Sequence, residues 1–274
     1  MGFFDRLKNG FEITKASLNF VKTDPEFLIL PIIVGLVMLA ILASFLFSFA
    51  FFEMKFGTTL FYAFLAIYYI ILYNALYFTQ AMILEAARER FAGKNPTLGR
   101  AFSLAMKNIK KIAALAVISA VVSIISAVLR EKGEQRGGAG GLVLKLLGSA
   151  AGISWTVISY FALPVLLHEE LDVVESFKKS WELFKKTWGE NLGANFSTIA
   201  LYLPAIILFV LGALLLGTIL GILLLALGLL ALFAAMIIAS VTKAVIAEAL
   251  YEYAATGKVP SGMPEGAVKN FYSR

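Results

Sequence analysis

The residues best suited to chemistry in this sequence are His168, Glu169, Glu170 and Asp172, which fall within five positions. A zinc site needs three or four convergent nitrogen, sulfur or carboxylate donors. With 1 histidine and 0 cysteines, one chain supplies a single imidazole and no thiolate, and only an assembly of several chains would gather more. The cluster therefore reads as a solvated helix end at the lipid head groups, with no metal expected. The run GGAGG at 137–141 lacks the Lys-Ser/Thr that completes a phosphate-binding loop, so it reads as a flexible loop. Neither a G-x-S-x-G nor an H-E-x-x-H pattern occurs. No catalytic residue and no cofactor are expected, and the chain is not expected to be an enzyme.

Hydroxyl chemistry is richer. Ser119, Ser123 and Ser126 recur at steps of four and three, so they share one face of a helix. Such a stripe lines a pore or, the favoured reading, lets helices pack closely. Gly148, Gly152 and Thr156 form a matching stripe that would suit a partner helix. Tyr69, Tyr73 and Tyr77 occupy one face at steps of four, read as packing or a lipid-facing belt. Asn74 and Gln80 read as interhelical hydrogen bonds. Ion-coupled transporters usually bury an ionised group at mid-membrane; the apolar runs here carry none, which disfavours energy-coupled transport.

The elements that hold these residues follow from hydropathy. The chain has 274 residues, 60% of them apolar, and a mean hydropathy of +0.84. Uncharged runs cover 27–52, 56–84, 112–129, 146–167 and 191–242, the last of 52 residues. A helix needs roughly 20 apolar residues to cross a core of about 30 Å. The long run holds two spans, with a turn near Gly217-Thr218. Barrel strands would alternate apolar and polar residues, and these runs do not. The expectation is an all-α polytopic protein, a single membrane domain over 1–274 with six spans at 27–52, 59–84, 110–129, 147–167, 197–216 and 222–247.

Between the spans lie amphipathic segments at 3–22, 97–111 and 173–188. The last carries Phe177, Trp181, Phe184 and Trp188 on one stripe, with Lys178, Lys179, Lys185 and Lys186 beside it. Helices of this make lie in the membrane surface, aromatic side down and lysines at the head groups. Asp24-Pro25 should end the first segment and cap span one, while Thr97 and Asp172 should cap the other two surface helices. The residues 85–90 should extend span two into solvent as a charged end.

Of the 24 lysines and arginines, 19 fall on one side of this arrangement, which puts both termini in the cytoplasm. The net charge of +6 then belongs to lipid-facing loops, and nucleic acid is not an expected partner. MGFFDRLKNG is charged and no short apolar core follows it directly, so no cleavable signal is expected.

The chain also resembles itself. A shift of 75 lays Leu98, Phe102, Met106 and Ile109 on Val173, Phe177, Trp181 and Phe184; a shift of 164 lays Lys15, Phe20 and Lys22 on Lys179, Phe184 and Lys186. The unit is a surface helix followed by a transmembrane hairpin, used three times in parallel.

The segment 159–196, with Pro164-Val165-Leu166, Glu175-Ser176-Phe177-Lys178, Thr187-Trp188-Gly189-Glu190 and Gly193-x-Asn195-Phe196, resembles a prokaryotic family of six-helix integral membrane proteins of unknown function. The resemblance implies the six-helix fold and location in a prokaryotic plasma membrane. It brings no catalytic residues.

Together these readings point to a non-enzymatic multipass protein that engages membrane lipids through basic-aromatic helices and packs as a homo-oligomeric scaffold. The alternative is a passive channel or facilitator that uses Ser119, Ser123 and Ser126 or an oligomer axis.

Overall fold

A computed structural model describes residues 3–52, 58–186 and 198–272. Regular structure among them is entirely helical. It comprises α1 (Phe3–Thr23), α2 (Ile29–Phe52), α3 (Thr58–Phe91), α4 (Leu98–Lys107), α5 (Ile109–Arg136), α6 (Gly138–Ser159), α7 (Ala162–His168), α8 (Val173–Lys186), α9 (Leu203–Leu214), α10 (Ile219–Thr256) and α11 (Glu265–Tyr272). Short 3-10 turns occupy Pro25–Leu28 and Thr198–Tyr202.

Among the described residues, five stretches are long and apolar enough to cross a membrane: Pro25–Phe47, Ala63–Phe91, Ile109–Arg136, Gly138–His168 and Ile219–Thr256. The sixth expected span, 197–216, is represented by the shorter apolar stretch Thr198–Leu214. It opens with the 3-10 turn, and Pro204 sits in the first turn of α9, where its missing N–H costs no intrahelical bond.

Contacts divide the chain into two compact units, each assembled from separated segments. The first comprises Met1–Ile32, Ile83–Ala101 and Lys185–Arg274. Within it, α9 and α10 form a close hairpin. Gly217 adopts φ +97°, and Thr218 caps α10 by accepting the Gly221 N–H at 3.0 Å. A Cβ at Gly221 would meet the Leu215 carbonyl at 2.1 Å, so this turn requires glycine. Along α10, burial begins as a thin stripe, Gly221, Gly228 and Ala235, and from Val241 to Tyr251 covers most positions. The helix packs against α1, which also meets α11.

Two expectations fail in this unit. Asp24 does not cap the turn that follows it. Its carboxylate is instead gripped by both sides of the Arg90 fork, with Nε at 2.9 Å from Oδ2 and Nη2 on Oδ1. The charged end of α3 is likewise only partly solvated: Arg88 is exposed, and the two carboxylates are buried. Glu85 and Glu89 are each 8% exposed among Ile83, Leu84, Ala86 and Ala87, and Arg100 reaches Glu89 at 2.5 Å. Alanines and isoleucine on the neighbouring faces bury the helix end, and the carboxylates go in with it.

The second unit comprises Ile33–Met82 and Phe102–Phe184. Its centre is the α5–α6 pair, and here the flexible loop expected at 137–141 is absent. Alpha-helix continues to Arg136, Gly137 makes the corner at φ +59°, and Gly138 already opens α6. Gly133 and Gly141 serve contact. Cβ atoms at Gly133 and Gly141 would each strike the other's carbonyl oxygen, at 2.6 and 2.5 Å. With no side chains between them, the two backbones touch.

Candidate functional site

The α5–α6 seam continues down the helices as Gly148 and Gly152 against Ser126. A Cβ at Gly148 would lie 2.8 Å from the Ser126 carbonyl and 2.9 Å from Arg130 Cγ. Of the serine stripe, Ser126 is the member that lies against these glycines.

Where α3 joins the pair, the packing opens. A cavity of about 750 Å³ is walled by Tyr69, Tyr73 and Tyr77 of α3, by Ser123, Ser126 and Arg130 of α5, and by Ser149, Gly152, Trp155, Thr156 and Ser159 of α6. Its rim is exposed at Tyr69, Ile153, Thr156 and Arg130. This volume lies within the usual range for small-molecule sites, but the lining is unusually rich in hydroxyls.

Those hydroxyls are not equivalent. The Tyr77 hydroxyl meets Ser119 Oγ at 2.8 Å, and Ser119 also donates to its own Leu115 carbonyl at 2.9 Å. Tyr73 meets Ser123 Oγ at 2.5 Å. Thr156 and Ser159 turn back onto Gly152 and Trp155 carbonyls at 3.0 and 2.7 Å. Ser126 is 3% exposed, and its hydroxyl has no hydrogen-bond partner among the described residues. The tyrosine face is therefore neither a belt nor plain packing: it supplies one wall of the cavity, and two of its rings bond the serine stripe. Asn74 makes no interhelical bond with its amide nitrogen, which donates to Ile70 on its own helix at 2.8 Å.

The sequence-predicted surface helix touches this wall through Phe177, which packs on Trp155. Asp172 caps α8 by accepting the Glu175 N–H at 2.8 Å, and Thr97 accepts the Arg100 N–H at 3.3 Å to cap α4. The face of α8 turned to protein carries Ser176, Ser180, Leu183 and Phe184. Small serines let the helix sit close, and this rotates the aromatic stripe. Phe177 packs on Trp155 at 4.8 Å and Phe184 on Tyr160 at 6.0 Å, while Trp181 and Val174 remain outward. Lys178 and Lys185 are exposed, and Lys179 leans towards Glu169 at 3.8 Å. Trp188 lies outside the described residues, as does the Lys186 side chain.

In the 168–172 group, Glu169, Glu170, Leu171 and Asp172 make structural contacts. Glu169 takes Lys179, Asp172 caps α8, and the carbonyls of Glu170 and Leu171 accept Lys111 Nζ at 3.2 and 2.9 Å. Among the described residues, no group of three or more His, Cys, Asp and Glu side chains could hold a metal.

Ser180 has a further part. Between α6 and α7 the chain turns at Tyr160-Phe161, and the buried Phe161 N–H donates to Ser180 Oγ at 2.9 Å. Ser180→Ala leaves that donor unpaired, a cost of about 1–3 kcal/mol. A lowered thermal midpoint in detergent, with Ser149→Ala as the comparison, checks this.

Neither the curated proteins nor the solved structures return a match to this chain. A family of unknown function, DUF6159, matches residues 59–262, which include every residue that lines the cavity and continue through α10. By that match over most of its length, the chain belongs to the DUF6159 family of unknown function.

Proposed function

We propose that this is a non-enzymatic, six-span membrane protein that holds an amphiphilic molecule in the lateral cavity of its second unit. The observation that carries the reading is the cavity itself: about 750 Å³, hydroxyl-lined, on helices apolar enough to lie in a bilayer. Lipid tails cannot satisfy hydroxyls or an arginine, so an occupant with a polar end and an apolar body fits best. The apolar part meets Ile153 and Trp155, and the polar part meets Ser126 and Arg130.

Around this site, α8 rests in the membrane surface through Trp181, Val174, Lys178 and Lys185. The outward apolar faces of α2 (Leu36, Leu39, Phe47) and α10 (Leu220, Leu223, Leu230) suit lipid or a second copy of the chain, which keeps a homo-oligomeric scaffold in a plasma membrane as part of the proposal. The channel alternative is weaker, because Ser119 and Ser123 spend their hydroxyls on Tyr77 and Tyr73.

The test is retention of lipid. Protein purified in mild detergent is extracted with solvent, and bound amphiphile is counted per chain. Gly152→Leu places a side chain in the cavity and should abolish retention. Equal retention by this variant and the parent would remove the reading. The surface placement has its own check: in nanodiscs of brominated lipid, Trp181 emission, taken as the difference from Trp181→Phe, should be strongly quenched.

A further inference from the structure

The cavity contains two groups that ordinary packing leaves unexplained. Ser126 is the first. Serines in helices commonly donate to the carbonyl four residues back, and Ser119 in the same stripe does so. Ser126 is buried, makes no such bond, and borders the cavity.

Arg130 is the second. It stands one turn further along α5, on the same wall. The acids around it are otherwise engaged. Glu134 bridges to Lys145 at 3.1 Å, and Glu131 accepts Gln135 Nε2 at 3.1 Å. No carboxylate ion pair to Arg130 occurs among the described residues. Gly148 leaves room for the arginine's aliphatic stem, since a Cβ there would come within 2.9 Å of Arg130 Cγ.

Depth supplies the third argument. Arg130 lies 21 residues beyond Ile109, about 32 Å along the helix at 1.5 Å per residue. An apolar core is about 30 Å thick. If α5 spans, Arg130 therefore reaches the head-group level at the far side, and Ser126 sits about 6 Å deeper.

From these observations we infer that the cavity binds an anionic phospholipid by its head group. Arg130 is the counter-charge to the phosphate, a charge-assisted contact that a guanidinium makes well. Ser126 donates to an ester or glycerol oxygen one turn deeper, and the Tyr69 hydroxyl borders the opening. This deepens the amphiphile reading and rests on it.

Native mass spectrometry of the full chain, released from nanodiscs, tests the inference. The probes are phosphatidylglycerol, phosphatidylcholine and soluble glycerol phosphate. Phosphatidylglycerol should be retained in preference to phosphatidylcholine. Arg130→Gln should weaken it about tenfold, the loss of one charge-assisted bond, and Ser126→Ala by a smaller factor. Arg130→Lys should restore part of the binding, and Arg136→Gln, beyond the cavity lining, should leave it unchanged. Equal retention of phosphatidylcholine would overturn the anionic head group while leaving an amphiphile site in place. Retention untouched by Gly152→Leu would overturn both. Equal effects of Arg130→Gln and Arg136→Gln would reduce the contact to diffuse surface charge and overturn the site. Glycerol phosphate competing as well as the lipid would overturn the membrane source.

Discussion

Gly148→Leu should leave little folded protein. The Cβ it introduces would stand 2.8 Å from the Ser126 carbonyl, 2.9 Å from Arg130 Cγ and 3.0 Å from Arg130 N. Two of those three atoms are backbone, so no side-chain rotation relieves them, and α5 must move away from α6. Separation at Gly148 also opens the Gly133–Gly141 contact, since one pair of rigid helices carries both. Overpacking alone costs about 1–3 kcal/mol, and the lost seam adds to it, because close backbone packing is a main source of helix association in lipid. Gly35→Leu is the matched control. A Cβ at Gly35 meets nothing within 4 Å, so the same chemical change in α2 should be neutral or slightly favourable for helix propensity. Monodisperse yield and thermal midpoint in one detergent separate the outcomes, and equal behaviour of the two variants would show that the seam is not tight.

The second large effect is expected at Asp24. Its carboxylate is 3% exposed and the Arg90 side chain 29%, with Arg90 Nη2 also donating to Asn95 at 2.8 Å. Removing one partner of a buried pair strands the other, at about 3–5 kcal/mol when both are deep. Arg90 keeps some access to water, so the lower part of that range applies. Asp24→Ala should therefore lower the thermal midpoint by several degrees, as should Arg90→Met. The double variant should cost less than the two single changes together, because no charge is then left alone. Strict additivity in that cycle would mean the pair contributes nothing as a pair.

Much of this fold was legible in the residues. Hydropathy located the helices, and local chemistry located their ends: Gly217-Thr218 at the α9–α10 turn, Asp172 before α8, Thr97 before α4. Such features depend on neighbours in sequence. The cavity does not. Its walls come from residues 69–77, 123–130 and 149–159, and each stripe read alone has an adequate packing explanation. What turns three stripes into a site is that the tyrosines face the serines, a tertiary fact without a local signature. The misreadings have the same origin. The residues 85–90 look solvated by composition, yet helix neighbours bury Glu85 and Glu89. GGAGG looks like a loop, yet Gly137 and Gly138 only turn the corner between two helices, and Gly141 lies against the Gly133 backbone. On α8 the aromatic residues drew attention, while Ser176 and Ser180 determine which side docks.

The 38-residue α10 has a mechanical consequence. At 1.5 Å per residue it is a shaft about 57 Å long, roughly twice the thickness of a bilayer core. Its glycine stripe and its thickly packed Val241–Tyr251 portion belong to one uninterrupted helix, so their rotational phase is locked. Seven residues fall about 20° short of two full turns, so Gly221, Gly228 and Ala235 wind slowly around the axis. One inserted residue between Ala235 and Val241 would turn the far portion by about 100° and carry Glu248 and Tyr251 away from the partners that bury them. Torque applied to either end of this helix is delivered to the other, because no hinge lies between.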